Sequence, residues 1–296
     1  MTRIYMFPGQ GAQRLGMGRA LLDRFPALVR EADEVLGYSL RELCLEDPGG
    51  RLGNTRYTQP AMFAVNALAY RAALQDTGEP DVAIGHSLGE YNALEAAGVF
   101  DFADGLRLVA ARAAAMAEVD GGGMSAVVGL TETTLRFLLL RAGFGTLDLA
   151  NLNTATQTVL AGPVDDLDEA GQVLEDAGAR MVRRLDVSGP FHSRYMAPAA
   201  AALAGTVRAT RLRPPAFPVI ANRTAEPYRA DLAADLLLEQ IDHPVRWRES
   251  VEALLAGPDP QFTEVGESTV LTSMVRQIRR DAAPDRTVRQ VQAAVA

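Results

Sequence analysis

The run Val82-Ala83-Ile84 leads without a break into Gly85-His86-Ser87-Leu88-Gly89, and Tyr91 to Ala97 then carries a helical pattern. A short buried strand feeding a sharp turn and a helix is the unit from which parallel α/β sheets are built. G-x-S-x-G in that setting lifts a serine oxygen out of the sheet edge, with glycine where backbone and helix crowd the turn. The N–H groups that open the helix point to where a developing oxyanion would sit. The pentapeptide alone is a common sequence. With the strand before it and the helix after it, Ser87 reads as a candidate nucleophile; the plainer reading is a tight turn with a capping serine.

Outward from this turn, the same rhythm recurs. Ile4 to Phe7 reads as a strand followed by the glycine-rich loop Pro8-Gly9-Gln10-Gly11, and Ala61 to Leu74 and Asp104 to Val119 read as helices. Strands alternating with helices predict a parallel sheet covered on both faces. Gly121-Gly122-Gly123 is a hinge signal, and the pattern changes after it. Met124 to Leu130 is a strand, and Thr131 to Ala142 a helix with Thr131 as N-cap and Gly143 as stop. Leu147 to Leu152 and Thr158 to Ala161 are strands, Val164 to Ala177 a helix closed by Gly178, and Ala179 to Val187 a last strand. This β-α-β-β-α-β order is the ferredoxin-like arrangement. The expected fold is therefore α/β: a large α/β-hydrolase-like subdomain with a parallel sheet (1–122 and 190–296) and a small inserted ferredoxin-like subdomain (123–189). Helices at Met196 to Thr210, Asp235 to Ile241 and Val270 to Arg280, with strands at Pro218 to Ile220 and Phe262 to Val265, complete the large part; the tail from Asp281 reads as irregular.

Composition narrows the chemistry. The 296 residues carry a formal net charge of −8, which argues against a nucleic-acid binder held by a general basic surface. All 29 basic residues are arginine, so neither a lysine Schiff base nor a Walker A loop is available. Cys44 is the single cysteine, which excludes an internal disulfide and a Cys-rich zinc site. No stretch reads as a secretory signal or a membrane span, and a cytoplasmic protein is the expectation.

A serine nucleophile needs a base, and the chain has only His86, His192 and His243. The side chain of His86 should diverge from that of Ser87 at the turn, and His243 precedes Pro244 in a loop. His192 lies in Gly189-Pro190-Phe191-His192-Ser193, at the seam between the subdomains where clefts form, and is the favoured base. The alternative is a hydrogen-bonded loop histidine. The loop Phe7 to Gln13 is open to two readings, a second oxyanion donor or a structural turn. Arg112 shares an apolar helical stripe with Leu108 and Met116. It either pairs with an internal carboxylate, the default reading, or waits for a ligand's.

Taken together, Phe7-Pro8-Gly9-Gln10-Gly11, Thr58-Gln59-Pro60-Ala61, Gly85-His86-Ser87-Leu88-Gly89-Glu90, Arg112, Phe191-His192-Ser193, Asn222 and Pro244-Val245-Arg246-Trp247 resemble, in that order, the malonyl-CoA:acyl carrier protein transacylase family. The likeness runs from about Ile4 to Ile278. Within the family it is greatest to discrete, trans-acting acyltransferases of modular polyketide synthases, which the length without a fused carrier or synthase domain fits.

The resemblance implies specific roles. Ser87 is the acylated nucleophile and His192 its base, oriented by the backbone carbonyl of Gln240 where other serine enzymes use an aspartate. The N–H groups of Gln10 and Leu88 form the oxyanion hole. Arg112 holds the malonyl carboxylate, overturning the default reading, and Gln59, His86 and Phe191 line the substrate site. Phe191 and Leu88 match malonyl-selective members, and a methyl-sized clash is worth about 1–3 kcal/mol. The implied reaction is ping-pong, from malonyl-CoA to the phosphopantetheine thiol of a polyketide synthase acyl carrier protein. No metal or organic cofactor, nucleic acid or membrane is implied, and a monomer is expected. Ala12, Pro190 and Gly266-Glu267-Ser268 depart from the family pattern. Arg180, Arg183 and Arg184, or else Arg276, Arg279 and Arg280, are candidate docking patches for an acidic carrier protein. Competing readings are an acyl carrier protein hydrolase on the same scaffold, an α/β-hydrolase esterase and a silent docking module. Arg112, the missing aspartate and the presence of both Ser87 and His192 weigh against them in turn.

Overall fold

A computed structural model of the chain describes residues 1–282. Eight strands form two sheets. β1 (Thr2–Phe7) and β2 (Val82–Gly85) are the centre of the first; β3 (Gly123–Val128), β4 (Asp148–Thr154), β5 (Gln157–Gly162) and β6 (Met181–Arg184) form the second; β7 (Val219–Ile220) and β8 (Pro260–Glu264) return to the first. The first sheet has the order β7-β2-β1-β8 and every pairing in it is parallel. Period-two alternation in β1 explains why both of its faces are covered. Tyr5 and Phe7 enter the principal core with Ala83, Val219 and the Thr55–Thr77, Gly89–Ala96 and Phe102–Ala117 helices. Ile4 and Met6 point the other way, into a second core with Ile84, Trp247, Leu271 and Val275.

The second sheet is antiparallel with the order β4-β5-β3-β6, the strand arrangement of a ferredoxin-like unit. The Glu132–Ala142 and Val164–Asp176 helices pack on one face of it and close a separate core around Leu135, Leu160 and Leu174. Thr131 caps the first of these helices through its hydroxyl, and Gly143 ends it at φ 87°, where the absence of a Cβ removes the left-handed penalty. Its other face joins the principal core through Met124, Ala126, Ala150 and Ala161, and along the free edge β4 exchanges backbone hydrogen bonds with Val245 at both Ala150 and Leu152, each 2.9 Å. That junction places β4 beside the end of β2.

The structure corrects several element boundaries. The helix expected from Ala61 begins at Thr55, because Asn54 accepts from the Arg56 N–H and caps it ahead of Pro60. The last strand of the small unit stops at Arg184; a single further backbone bond, from the Leu185 N–H to the Met124 carbonyl, follows before the chain leaves β3. Val187 is left to line a cleft instead. Helices at Arg19–Arg24, Pro26–Leu36, Leu40–Leu45 and Trp247–Leu255 are additional to those read from sequence. The last helix, Val270–Ala282, takes in Asp281 and Ala282 of the tail expected to be irregular; the rest of that tail lies outside the described residues. No described helix is long and apolar enough to cross a membrane.

Candidate active site

The elbow after β2 is forced by close packing. Ser87 has φ 54°, a left-handed conformation that costs a non-glycine residue about 1–2 kcal/mol. Its two glycine neighbours cannot be replaced within this geometry. A Cβ on Gly85 would lie 2.0 Å from the Gly89 carbonyl carbon, and one on Gly89 would lie 1.9 Å from the Phe7 oxygen. The glycine-rich loop after β1 meets the same constraint, since a Cβ on Gly9 would lie 2.4 Å from the His86 oxygen and 3.5 Å from the Leu88 nitrogen. The two loops are thus pressed together, and the sequence spacing of both motifs follows from that contact. The backbone N–H groups of Gln10 and Leu88 find no acceptor among the described residues, and Leu88 stands at the N-terminus of the Gly89–Ala96 helix. Two free donors on adjoining loops suit an anionic oxygen.

Ser87 Oγ is 2.7 Å from His192 Nε2. The other ring nitrogen, Nδ1, is 2.7 Å from the Gln240 carbonyl oxygen. A carbonyl can only accept, so Nδ1 carries the proton and Nε2 is the free base facing the serine. Burial, with the Arg112 charge added to it, pushes the His192 pKa down to about 3, so the imidazole is neutral at pH 7. His192 also has a positive φ of 59°. His86 faces away from Ser87, with Nε2 2.8 Å from Asn153 Oδ1 on β4, and still lines the cleft. His243 is engaged by its neighbour Asp242 and by the Glu239 carbonyl.

Arg112 is 1% exposed, and no carboxylate among the described residues forms an ion pair with it, contrary to the default reading of the sequence. Its fork is held by neutral acceptors. Nη1 donates to Gln59 Oε1 at 2.6 Å, and Nη2 to Gln240 Oε1 at 2.9 Å and to Ser87 Oγ at 3.2 Å. Burial opposes its charge, while Tyr91 and Glu90 support it. A desolvated guanidinium on neutral partners, beside a nucleophile, has binding capacity left for an anion. Gln59 is buried and acts on Arg112 rather than on the cleft wall.

The cleft over Ser87 has a volume of about 330 Å3 and is lined by Gln10, His86, Met124, Asn151, Leu185 and Val187, among others. The apolar wall of the cleft is formed by Met124, Leu185 and Val187, and Phe191, expected at the substrate by resemblance, is buried in the same core cluster as Met124. A second cavity of about 250 Å3 shares Gln10, His86 and Asn151 with the first. A third, of about 440 Å3, shares Gln157, Val270 and Met274 with the second. The three form a trough along the seam, from Ser87 past Arg183 to Arg180 and Arg280.

Sequence reasoning did not find Glu90, Asn222 or Tyr228 as a buried unit. The Asn222 side chain accepts from the Ser87 N–H at 2.7 Å and donates to the Gly85 carbonyl at 2.6 Å, clamping the elbow. The Glu90 carboxylate is fully buried; burial pushes its pKa up to about 7, against donors from Tyr228, Gln240 and Asn222. The signal for Glu90 was its place in the first turn of the elbow helix, where an acidic side chain suits the helix dipole.

A serine–histidine pair at a strand–turn–helix elbow, with two free backbone donors and a buried arginine beside the serine, defines the class of acyl-transferring serine enzymes. The comparisons place the chain more narrowly. The acyl transferase domain model matches residues 4–293, and the chain belongs to that family. The polyketide biosynthesis malonyl CoA-acyl carrier protein transacylase PksC of Bacillus subtilis is 43% identical over 280 residues, covering 94% of this chain and 97% of that protein. The crystal structure of a malonyl CoA-acyl carrier protein transacylase from Burkholderia pseudomallei superposes with a TM-score of 0.93 at 46% identity, covering 96% of this chain and all of that one. A malonyl-transacylase in complex with a type II polyketide synthase acyl-carrier protein gives 0.90 at 35% identity, covering 95% and 94%. Longer relatives also match: the chain spans 37% of the polyketide biosynthesis protein PksE of Bacillus subtilis and 24% of ThaF of Burkholderia thailandensis.

Proposed function

We propose that the chain is a malonyl-CoA:acyl carrier protein S-malonyltransferase serving a polyketide synthase in trans. The observation that carries this reading is Arg112, a buried cation without a carboxylate partner among the described residues, 3.2 Å from Ser87 Oγ. An enzyme for uncharged acyl groups gains nothing from that arrangement. The malonyl carboxylate supplies the missing charge, and the planar fork suits it.

The chemistry follows from the proton positions. His192 Nε2 takes the hydroxyl proton as Ser87 Oγ attacks the thioester carbon of malonyl-CoA. The carbonyl oxygen, now anionic, is held by the N–H groups of Gln10 and Leu88. Collapse of this intermediate breaks the carbon–sulfur bond, and the leaving thiolate takes its proton from His192. The product is a malonyl-Ser87 ester. In the second half the phosphopantetheine thiol of the carrier protein attacks the ester, His192 takes the thiol proton, and Ser87 Oγ recovers it on release. The neutral imidazole is in the correct state to begin either half.

The trough supports the partner assignment. The two candidate docking clusters were separate in sequence; in the structure Arg180 and Arg280, one from each, line a single cavity, with Arg183 on the next. None of the three forms an ion pair among the described residues, whereas Arg184 is tied to Asp168 and Arg279 donates to the Pro260 carbonyl. A phosphopantetheine arm reaching Ser87 from that end passes Met274 and Val270 and leaves its phosphate beside arginines.

The test is a two-step transfer. Enzyme loaded with malonyl-CoA is freed of CoA and then mixed with a phosphopantetheinylated carrier protein. Malonyl transfer to the carrier, faster than release of free malonate, is the expected result. Release of malonate at an unchanged rate, with no loaded carrier, would identify a hydrolase on the same scaffold.

A further inference from the structure

The steps above give Glu90 no part, yet among the described residues it is the one fully buried carboxylate that touches the groups around Ser87. The direction of every hydrogen bond about it is fixed by its neighbours. Arg112 can only donate, so Gln240 must turn its oxygen Oε1 toward Arg112 Nη2. The Gln240 amide nitrogen then faces the other way and donates to the Ser87 carbonyl at 2.8 Å and to Glu90 Oε2 at 2.6 Å. On the far side, Glu90 Oε1 accepts from the Asn222 N–H at 3.1 Å and from the Tyr228 hydroxyl at 2.6 Å. Tyr228 has no other acceptor among the described residues, so its proton also goes to Glu90. A carboxyl proton on Glu90 could go only to the Tyr228 oxygen, and the Tyr228 hydroxyl proton would then have no acceptor among the described residues.

We propose that Glu90 is a positioning residue whose carboxylate form locks the Gln240 carboxamide in the orientation that keeps the Arg112 fork aimed at the acyl group on Ser87. This rests on the proposed role of Arg112. The same carboxylate steadies Asn222, and through it the Ser87 N–H, so one side chain ties the anion-binding arginine to the elbow. Glu90→Gln is nearly isosteric and exposes the role. Whichever way its amide turns, the NH2 group meets a donor, either Gln240 Nε2 or the Asn222 N–H. The Asn222 N–H is fixed in the backbone and shares its acceptor with Tyr228, so the new carboxamide keeps its oxygen there and turns its NH2 to Gln240, which is released to rotate and to present its own NH2 to Arg112.

The experiment measures the rate of Ser87 acylation from malonyl-CoA and from acetyl-CoA, in the full chain, for wild type, Glu90→Gln and Gln240→Met. Gln240→Met removes the carboxamide and leaves the backbone carbonyl for His192. Both variants are expected to lose malonyl transfer by about tenfold or more while acetyl transfer changes by less than about threefold, and their effects should not add when combined. Equal losses for both acyl groups would mean a structural role and overturn the inference. So would a preference lost in Gln240→Met but kept in Glu90→Gln. Should Glu90→Gln not fold, Gln240→Met carries the test, and an unchanged preference in it overturns the inference. A wild type without any malonyl preference would instead overturn the reading of Arg112, and this inference with it.

Discussion

At the scale of single residues, the site works by controlling where charge and protons sit. His192 is kept neutral by burial and by Arg112, with its pKa pushed down to about 3 from 6.5. The rate of Ser87 acylation from acetyl-CoA, which does not call on Arg112 or on the Glu90 carboxylate, should therefore stay flat as pH falls through 6.5; an acid limb centred there would contradict a buried neutral base. The same shift makes a stability statement. Below 6.5 the unfolded chain takes up a proton on this imidazole that the folded chain refuses until about 3, so this contribution to stability is complete above 6.5 and is lost as pH drops toward 3. Arg112→Ala removes the anion partner while leaving Ser87 and His192 in place. It should lower kcat/KM for malonyl-CoA by about 100-fold, through loss of a charge-assisted bidentate pair, and leave acetyl transfer nearly intact. Much at this scale was legible. Ser87, His192 and Arg112 stood out by residue type and setting, whereas the distribution of hydrogen bonds did not. Whether Arg112 met an internal acid or neutral amides depended on Gln59 and Gln240, which lie 53 and 128 residues away in the chain.

At the scale of elements, close backbone approach is what places the serine. The Gly85 and Gly89 positions admit no side chain because the elbow is wedged against its own helix and against the loop after β1. Gly89→Ala would place a methyl group 1.9 Å from the Phe7 oxygen. Relief requires the β1 loop and the elbow to separate, and the variant should lose about 3 kcal/mol or more of stability by denaturant unfolding, with activity lost alongside. A variant with unchanged stability would show that the loops are not in contact. The strand–turn–helix unit and the βαββαβ order were readable because each carries a strong periodic pattern and its own stop signals, such as Gly143 and Gly178. The helices between Arg19 and Leu45 were not. They are short, two of them six residues long, and rest on tertiary packing: Arg19–Arg24 against the Thr55–Thr77 helix, Pro26–Leu36 chiefly against Phe102–Ala117, and Leu40–Leu45 chiefly against Pro26–Leu36.

At the scale of the whole molecule, function lies along the seam between the parallel and antiparallel sheets. Ser87 comes from the end of β2, the cleft wall from β3, β4 and the chain after β6, and the far end of the trough from the last helix. The net charge of −8 gives no hint of a basic trough, because most arginines outside it are paired with acids on the surface. Replacing both Arg180 and Arg280 by Glu should raise KM for the carrier protein by about tenfold at low salt, with kcat unchanged. Added salt should narrow the difference, since exposed charges are screened beyond about 10 Å at 0.1 M. A KM for carrier protein that does not move would contradict this docking surface.

The most direct test of the account is the intact mass of the protein after brief mixing with malonyl-CoA, for wild type and for Ser87→Ala. The account predicts one malonyl group on the wild type and none on the variant. An adduct that persists in Ser87→Ala, or a wild type that neither gains the group nor releases CoA, would contradict it.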